Sequence, residues 1–344
     1  MKRRTLLLLI GALQAAPALS QPQWTRVAVP FYTPADLLVG WHRFVMAPQA
    51  RALHEQAQAL AGAVDGHCQG SLPLERVRGH WRDTTTAWER LSAVATGPLI
   101  ARRSLRQIDF SPTRPKLIER AIRTMPRGAT AMERIGTPAK GLPALEWLLW
   151  THPAAPATPA CSYAREVAHD LLREAQALNE GFAALAQRGR DDWPEDEGVA
   201  AVGELVNQWV GGIERLRWAQ MEKPLRAATP QALPRHASGT TAQSWQTHWG
   251  AVAAQARASA EAPRPGEGHV PFELYLRGRG LNDLADRWAA AVEAADRQVS
   301  AADPTAPSAA LDAARALADL KRLAEAELAP ALEVRLGFSD ADGD

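Results

Sequence analysis

Long stretches rich in Ala, Leu, Arg and Glu run through the chain, separated by short breaks carrying Pro and Gly, and they hold few Val, Ile or Thr residues. Straight-chain residues and Ala lose little on entering a helix, whereas strands draw on β-branched and aromatic side chains, so helices are favoured heavily over sheets. The 12 Trp stand beside only 3 Tyr and 6 Phe, which leaves few aromatic strand formers. At 344 residues the chain is long enough for one large domain or two of ordinary size. Hydrophobic residues at 46% and charged residues at 22% exclude wholesale disorder.

Breakers and caps locate the helices. Thr33-Pro34-Ala35-Asp36 reads as an N-cap, a first-turn proline and an acid near the positive helix end, opening a helix to about Val64 that Pro48 should kink. A second helix covers about 74–95, with Trp81, Trp88 and Leu91 on one side. Residues 97–140 are broken by five prolines and leave room for a helix around 116–124. Short and long helices follow over 142–150 and 162–187. The polar stretch 188–198 then marks a boundary, and further helices are expected near 199–222, 242–262, 281–300 and 308–332. The expectation is an all-α fold of two four-helix bundles packed together, residues 30–190 and 198–344.

The first twenty residues read as an address. Met1-Lys2-Arg3-Arg4 is basic, Thr5 to Leu13 is apolar, and Ala18-Leu19-Ser20 offers a small-residue cleavage site before Gln21. An apolar run of about 10 residues is too short to span a bilayer, and nothing later in the chain approaches the required length, so a periplasmic, membrane-free mature chain is expected. Without those residues 36 basic face 38 acidic side chains, which gives no electrostatic case for nucleic acid. Cys68 and Cys161 are the only cysteines. Export favours a bridge between them over two buried free thiols.

The most informative segment is Gly141-Leu142-Pro143-Ala144-Leu145-Glu146-Trp147-Leu148-Leu149-Trp150. A helix apolar on all sides is buried, so Glu146 is expected as a carboxylate in a low-dielectric site. Such a group must be paired, protonated or bound to a cation. An internal Glu–Arg bridge between bundles and a ligand site both meet that condition.

This segment resembles the G-x-H-x-x-E motif of the imelysin-like family. Arg106-Gln107-Ile108-Asp109-Phe110-Ser111-Pro112 is similar to the family's Ile-Asp-Phe-Trp-Pro stretch, with Ser111 for Trp, and residues 336–344, ending Asp-Gly-Asp, resemble its C-terminal signature. The resemblance implies an exported protein of two helical bundles with a pocket between them. Some members are labelled metallopeptidases, and relatives belong to bacterial iron-acquisition systems in which the motif histidine and glutamate are thought to bind metal. Here the histidine position is Pro143, which cannot ligate. A zinc peptidase needs about three protein ligands and a water, and the chain has no H-E-x-x-H.

The expected ligand site therefore groups Glu146 with Asp109, Arg106, Ser238 and Asp340. Glu146 and Asp109 would supply anionic ligands to a divalent metal or iron, or pair with Arg106, while Ser238 donates a hydrogen bond. Asp340 belongs either to a frayed terminus or to a tail folded back on the pocket. Non-catalytic ligand or metal binding in an iron-uptake context is the leading reading, with periplasmic or membrane iron-uptake components as partners. A metallopeptidase and a structural or partner-binding protein are the alternatives.

Overall fold

Thr33 opens the first helix with a reciprocal cap: its hydroxyl accepts from the Asp36 N–H, and the Asp36 carboxylate accepts from the Thr33 N–H at 2.8 Å. The computed structural model describes residues 28–227, 232–259 and 261–337, and among them every regular element is helical. Residues 1–27, which include the expected leader, and the last seven residues, Asp340 included, lie outside the described residues.

In the first half α1 (Pro34–Trp41), α2 (Ala47–Cys68) and α3 (Leu74–Ser92) are followed by four short helices: α4 (Pro98–Ala101), α5 (Ser104–Ile108), α6 (Pro115–Thr124) and α7 (Gly128–Glu133). Then come α8 (Gly141–Glu146) and the long α9 (Pro159–Gln187). The second half holds α10 (Glu195–Glu214), α11 (Lys223–Arg226), α12 (Thr241–Ala256), α13 (Phe272–Arg277), α14 (Asn282–Ser300), α15 (Pro307–Leu323) and α16 (Ala329–Ala331). Helix α2 packs against α3 and α9, with α8 resting on both α3 and α9. In the second half α10, α12, α14 and α15 pack on one another. The halves meet where α3 lies on α12 and α1 on α10, and a single apolar core runs through both. No helix among the described residues is long and apolar enough to cross a membrane.

Pro48 does not end its helix. A π-helical turn at His42–Met46 precedes it, and the same arrangement recurs at Arg215–Glu222 before Pro224 and at Ala324–Leu328 before Pro330. Proline lacks the N–H for an i→i−4 bond, and its ring crowds the carbonyl four residues back. A widened turn relieves both problems while the helix continues.

Helices α4, α5 and α7 occupy the stretch 97–140, where only α6 was expected, and two later elements depart as well. Helix α12 stops at Ala256 rather than near 262, because Arg257 is extended and the Ala258 N–H is taken by the buried Glu273 carboxylate at 3.0 Å. Helix α13 was not anticipated, being six residues set between Pro271 and Gly278. Cys68, at the end of α2, and Cys161, in the first turn of α9, form the expected disulfide, with Cα atoms 5.6 Å apart.

Candidate functional site

Gly141 places the motif helix. Its φ is +76°, and a Cβ there would lie 2.2 Å from the Ile108 carbonyl oxygen. Only glycine lets α8 begin against the end of α5, which brings Glu146 and Asp109 into one region. Trp81 of α3 fixes the other side of α8 by donating its indole N–H to the Leu142 carbonyl at 3.1 Å. A second close approach joins the halves, since a Cβ on Gly212 of α10 would lie 2.2 Å from the Ala93 carbonyl oxygen.

The carboxylates of this region share a guanidinium. Arg235 is buried in the loop before α12, and its Nη2 donates to Asp109 Oδ2 at 2.6 Å and to Glu89 Oε1 at 3.2 Å. Glu146, Asp109 and Glu89 all act electrostatically on Arg235 and hold its guanidinium above the ordinary value against the effect of burial. The Arg235 backbone is left-handed, with φ +59°, a conformation costing a non-glycine residue on the order of 1 kcal/mol that the surroundings must outweigh.

Every carboxylate here has further donors. Glu146 Oε1 accepts the Ser238 backbone N–H at 2.9 Å. Asp109 Oδ2 also accepts the Trp88 indole N–H at 3.1 Å, and Glu89 Oε1 the Ser244 hydroxyl at 2.6 Å. Burial alone would push the Glu89 carboxyl up, but His248, Arg235 and Ser244 outweigh it and hold the group at about 2. His248 is fully buried, with Nε2 3.0 Å from the Gly212 carbonyl and Nδ1 3.8 Å from Glu89 Oε2, longer than a hydrogen bond. Burial first, and then Arg215, keep its imidazole below the usual value, while Glu89 opposes them. Arg215 donates to the Ser92 and Ala93 carbonyls at the end of α3.

A metal does not fit this donor set. Pro143 offers no donor in the first turn of α8, one oxygen of each carboxylate (Glu146 Oε1, Asp109 Oδ2, Glu89 Oε1) already faces N–H or O–H groups, and no group of three or more His, Cys, Asp or Glu among the described residues is placed to hold an ion. Two surface recesses, of about 270 and 500 Å³, lie elsewhere, the first lined by Arg43, Arg51 and Asn179 and the second by Glu204, Asn207 and Arg335.

The family model for Imelysin matches residues 46–333. The chain belongs to the imelysin family. An imelysin-like protein from Psychrobacter arcticum has a similar structure at TM-score 0.72 and 18% identity, covering 91% of this chain and 100% of that one. A proposed iron-regulated protein A precursor from Parabacteroides distasonis superposes at TM-score 0.66 and 14% identity, covering 84% and 94%. Among curated proteins none matches.

Of the residues singled out in this imelysin-family sequence, Glu146, Asp109 and Ser238 are brought together around Arg235, though Ser238 reaches Glu146 through its backbone N–H while its hydroxyl donates to the Arg235 carbonyl. Arg106 sits exposed on α5, and the cation that Asp109 holds is Arg235 instead. Glu89, Arg235, Ser244 and His248 escaped the sequence reading. Glu89 had a usable signal, since it follows Trp88 and falls four residues after Thr85 on the buried side of α3. Arg235 had none, because a loop position carries no periodicity.

Proposed function

We propose that this is an exported, non-catalytic imelysin-family protein that serves iron acquisition by binding, and that its carboxylate cluster carries a built-in cation, Arg235, in place of a metal. The carrying observation is the pair formed by Pro143 at the motif histidine position and the Arg235 guanidinium shared by Asp109 and Glu89. A guanidinium there supplies the positive charge that buried carboxylates require, and Pro143 removes the donor that a zinc peptidase would need beside Glu146. A metallopeptidase is disfavoured on the same grounds. The iron context is supported by the name of the Parabacteroides relative. Export is supported by the leader and by a disulfide, which persists in oxidising compartments. Metal affinity at Glu146 and Asp109 is then weak, and partners in the periplasm or its membranes are engaged through the protein surface.

The test restores what the motif lacks. Pro143→His combined with Arg235→Met should convert a protein without stoichiometric zinc, copper or iron binding into one that takes up about one equivalent per chain, read by metal analysis after desalting. Tight metal binding by the unaltered protein, lost in Glu146→Ala, would overturn the reading.

A further inference from the structure

The segment 102–134 carries nine Lys and Arg against three Asp and Glu, a net of +6 in a chain whose total is +1. All nine basic residues are exposed, Arg102 in a bidentate pair with Glu174, while one of the acids, Asp109, is spent inward on Arg235. Helix α6 concentrates the effect. Ile118 and Ala121 bury one face in the core, where α6 packs on α9. Lys116, Arg120 and Arg123, spaced by four and three residues, form the opposite face. Arg114 precedes the helix and Arg127 follows it.

The exposed face of α6 is strongly biased to one sign, with three cations against the single acid Glu119. Like charges at i,i+4 and i,i+3 repel, and Arg114 and Lys116 stand at the positive end of the helix dipole. Among the described residues Lys116, Arg120 and Arg123 form no ion pair, and Glu119 is the only acid in the helix. The sequence thus keeps a locally unfavourable cationic stripe. Two of the few exposed large apolar side chains border it, Leu117 at 42% and Met125 at 61% exposure.

We infer that α6 and its flanks form a docking surface for an anionic phospholipid bilayer. Arginine predominates, and its planar fork matches phosphate oxygens bidentately, whereas lysine acts as a point charge. Leu117 and Met125 stand where they can enter the headgroup boundary beside the cations, the pattern of interfacial rather than spanning attachment. An acidic protein would use the charges but has no need of two isolated apolar side chains at their edge. The inference is independent of the Arg235 cluster.

Co-sedimentation of the mature protein with vesicles tests it. Vesicles of phosphatidylcholine and phosphatidylglycerol should retain about tenfold more protein than phosphatidylcholine alone, with the difference collapsing in high salt. The triple variant Lys116→Glu, Arg120→Glu, Arg123→Glu should lose that excess, and Leu117→Ser with Met125→Ser should weaken binding about threefold at unchanged charge. Far-ultraviolet circular dichroism confirms that these exposed substitutions leave the helices intact. Equal retention by both vesicle types, or a triple variant that binds like the parent, overturns the inference. Retention on immobilised polyglutamate without retention on the anionic vesicles overturns it in favour of an acidic protein.

Discussion

Arg235 reaches Asp109 at 2.6 Å and Glu89 at 3.2 Å with a single nitrogen, joining the end of α5 and the last turn of α3 to the loop that leads into α12. The contact is buried on the Arg235 and Glu89 sides, so water cannot replace it. Arg235→Met should therefore cost about 3–5 kcal/mol, because it leaves buried carboxylates without their cation. Adding Glu89→Gln should recover part of the loss. Urea denaturation of the two variants measures this, and a loss that Glu89→Gln deepens would contradict the pairing.

Gly141→Ala should destabilise by about 2 kcal/mol or more, since alanine is strained at positive φ and its methyl would meet backbone rather than a mobile side chain. Gly250→Ala is the control. It lies within α12 with open space around it, so it should be neutral or slightly stabilising in the same thermal unfolding assay.

Acid should weaken the fold in two stages. Burial keeps His42 and His269 at about 4 instead of 6.5, with Arg188 adding to the effect at His42. The unfolded chain takes these protons first, so the contribution is complete above pH 6.5 and is lost as pH falls to 4. Glu89, at about 2 against an ordinary 4.5, contributes above pH 4.5 and loses that contribution on the way to 2. His42→Phe, which keeps a ring stacked on Trp193, should flatten part of the first stage only. Urea midpoints measured across this range check the signs, and a midpoint that rises on acidification would reverse them.

The Cys68–Cys161 bridge closes a separation of 93 residues. On the chain-entropy argument its removal by Cys68→Ser with Cys161→Ser should cost about 3–5 kcal/mol. Calorimetry of the variant, and of the parent under reductant, should show the same fall in melting temperature. No change in either would mean that the bridge constrains little in the unfolded chain.

Much of the fold was legible from periodicity and punctuation. Thr33-Pro34, Leu74, Asn282 and Pro307 begin helices where caps and breakers place them, because those signals act locally. What escaped depends on tertiary contacts. Helix α13 is too short to show a period, and α12 ends early because distant Glu273 captures the Ala258 N–H. The same division holds at the site. Glu146 stood out as one carboxylate in an apolar run, but its surroundings come from a loop 92 residues away, whose Ser238 N–H and Arg235 guanidinium leave no mark in a helical pattern.

The measurement that bears most directly on the Arg235 cluster is calorimetric titration of the metal-stripped mature protein with ferrous iron, cupric copper and zinc, with Glu146→Ala in parallel. With the guanidinium as the resident cation, neither protein should show a stoichiometric site, and the weak background heats should match. A one-to-one site in the unaltered protein that disappears in Glu146→Ala would show that a metal belongs among these carboxylates and that Arg235 does not take its place.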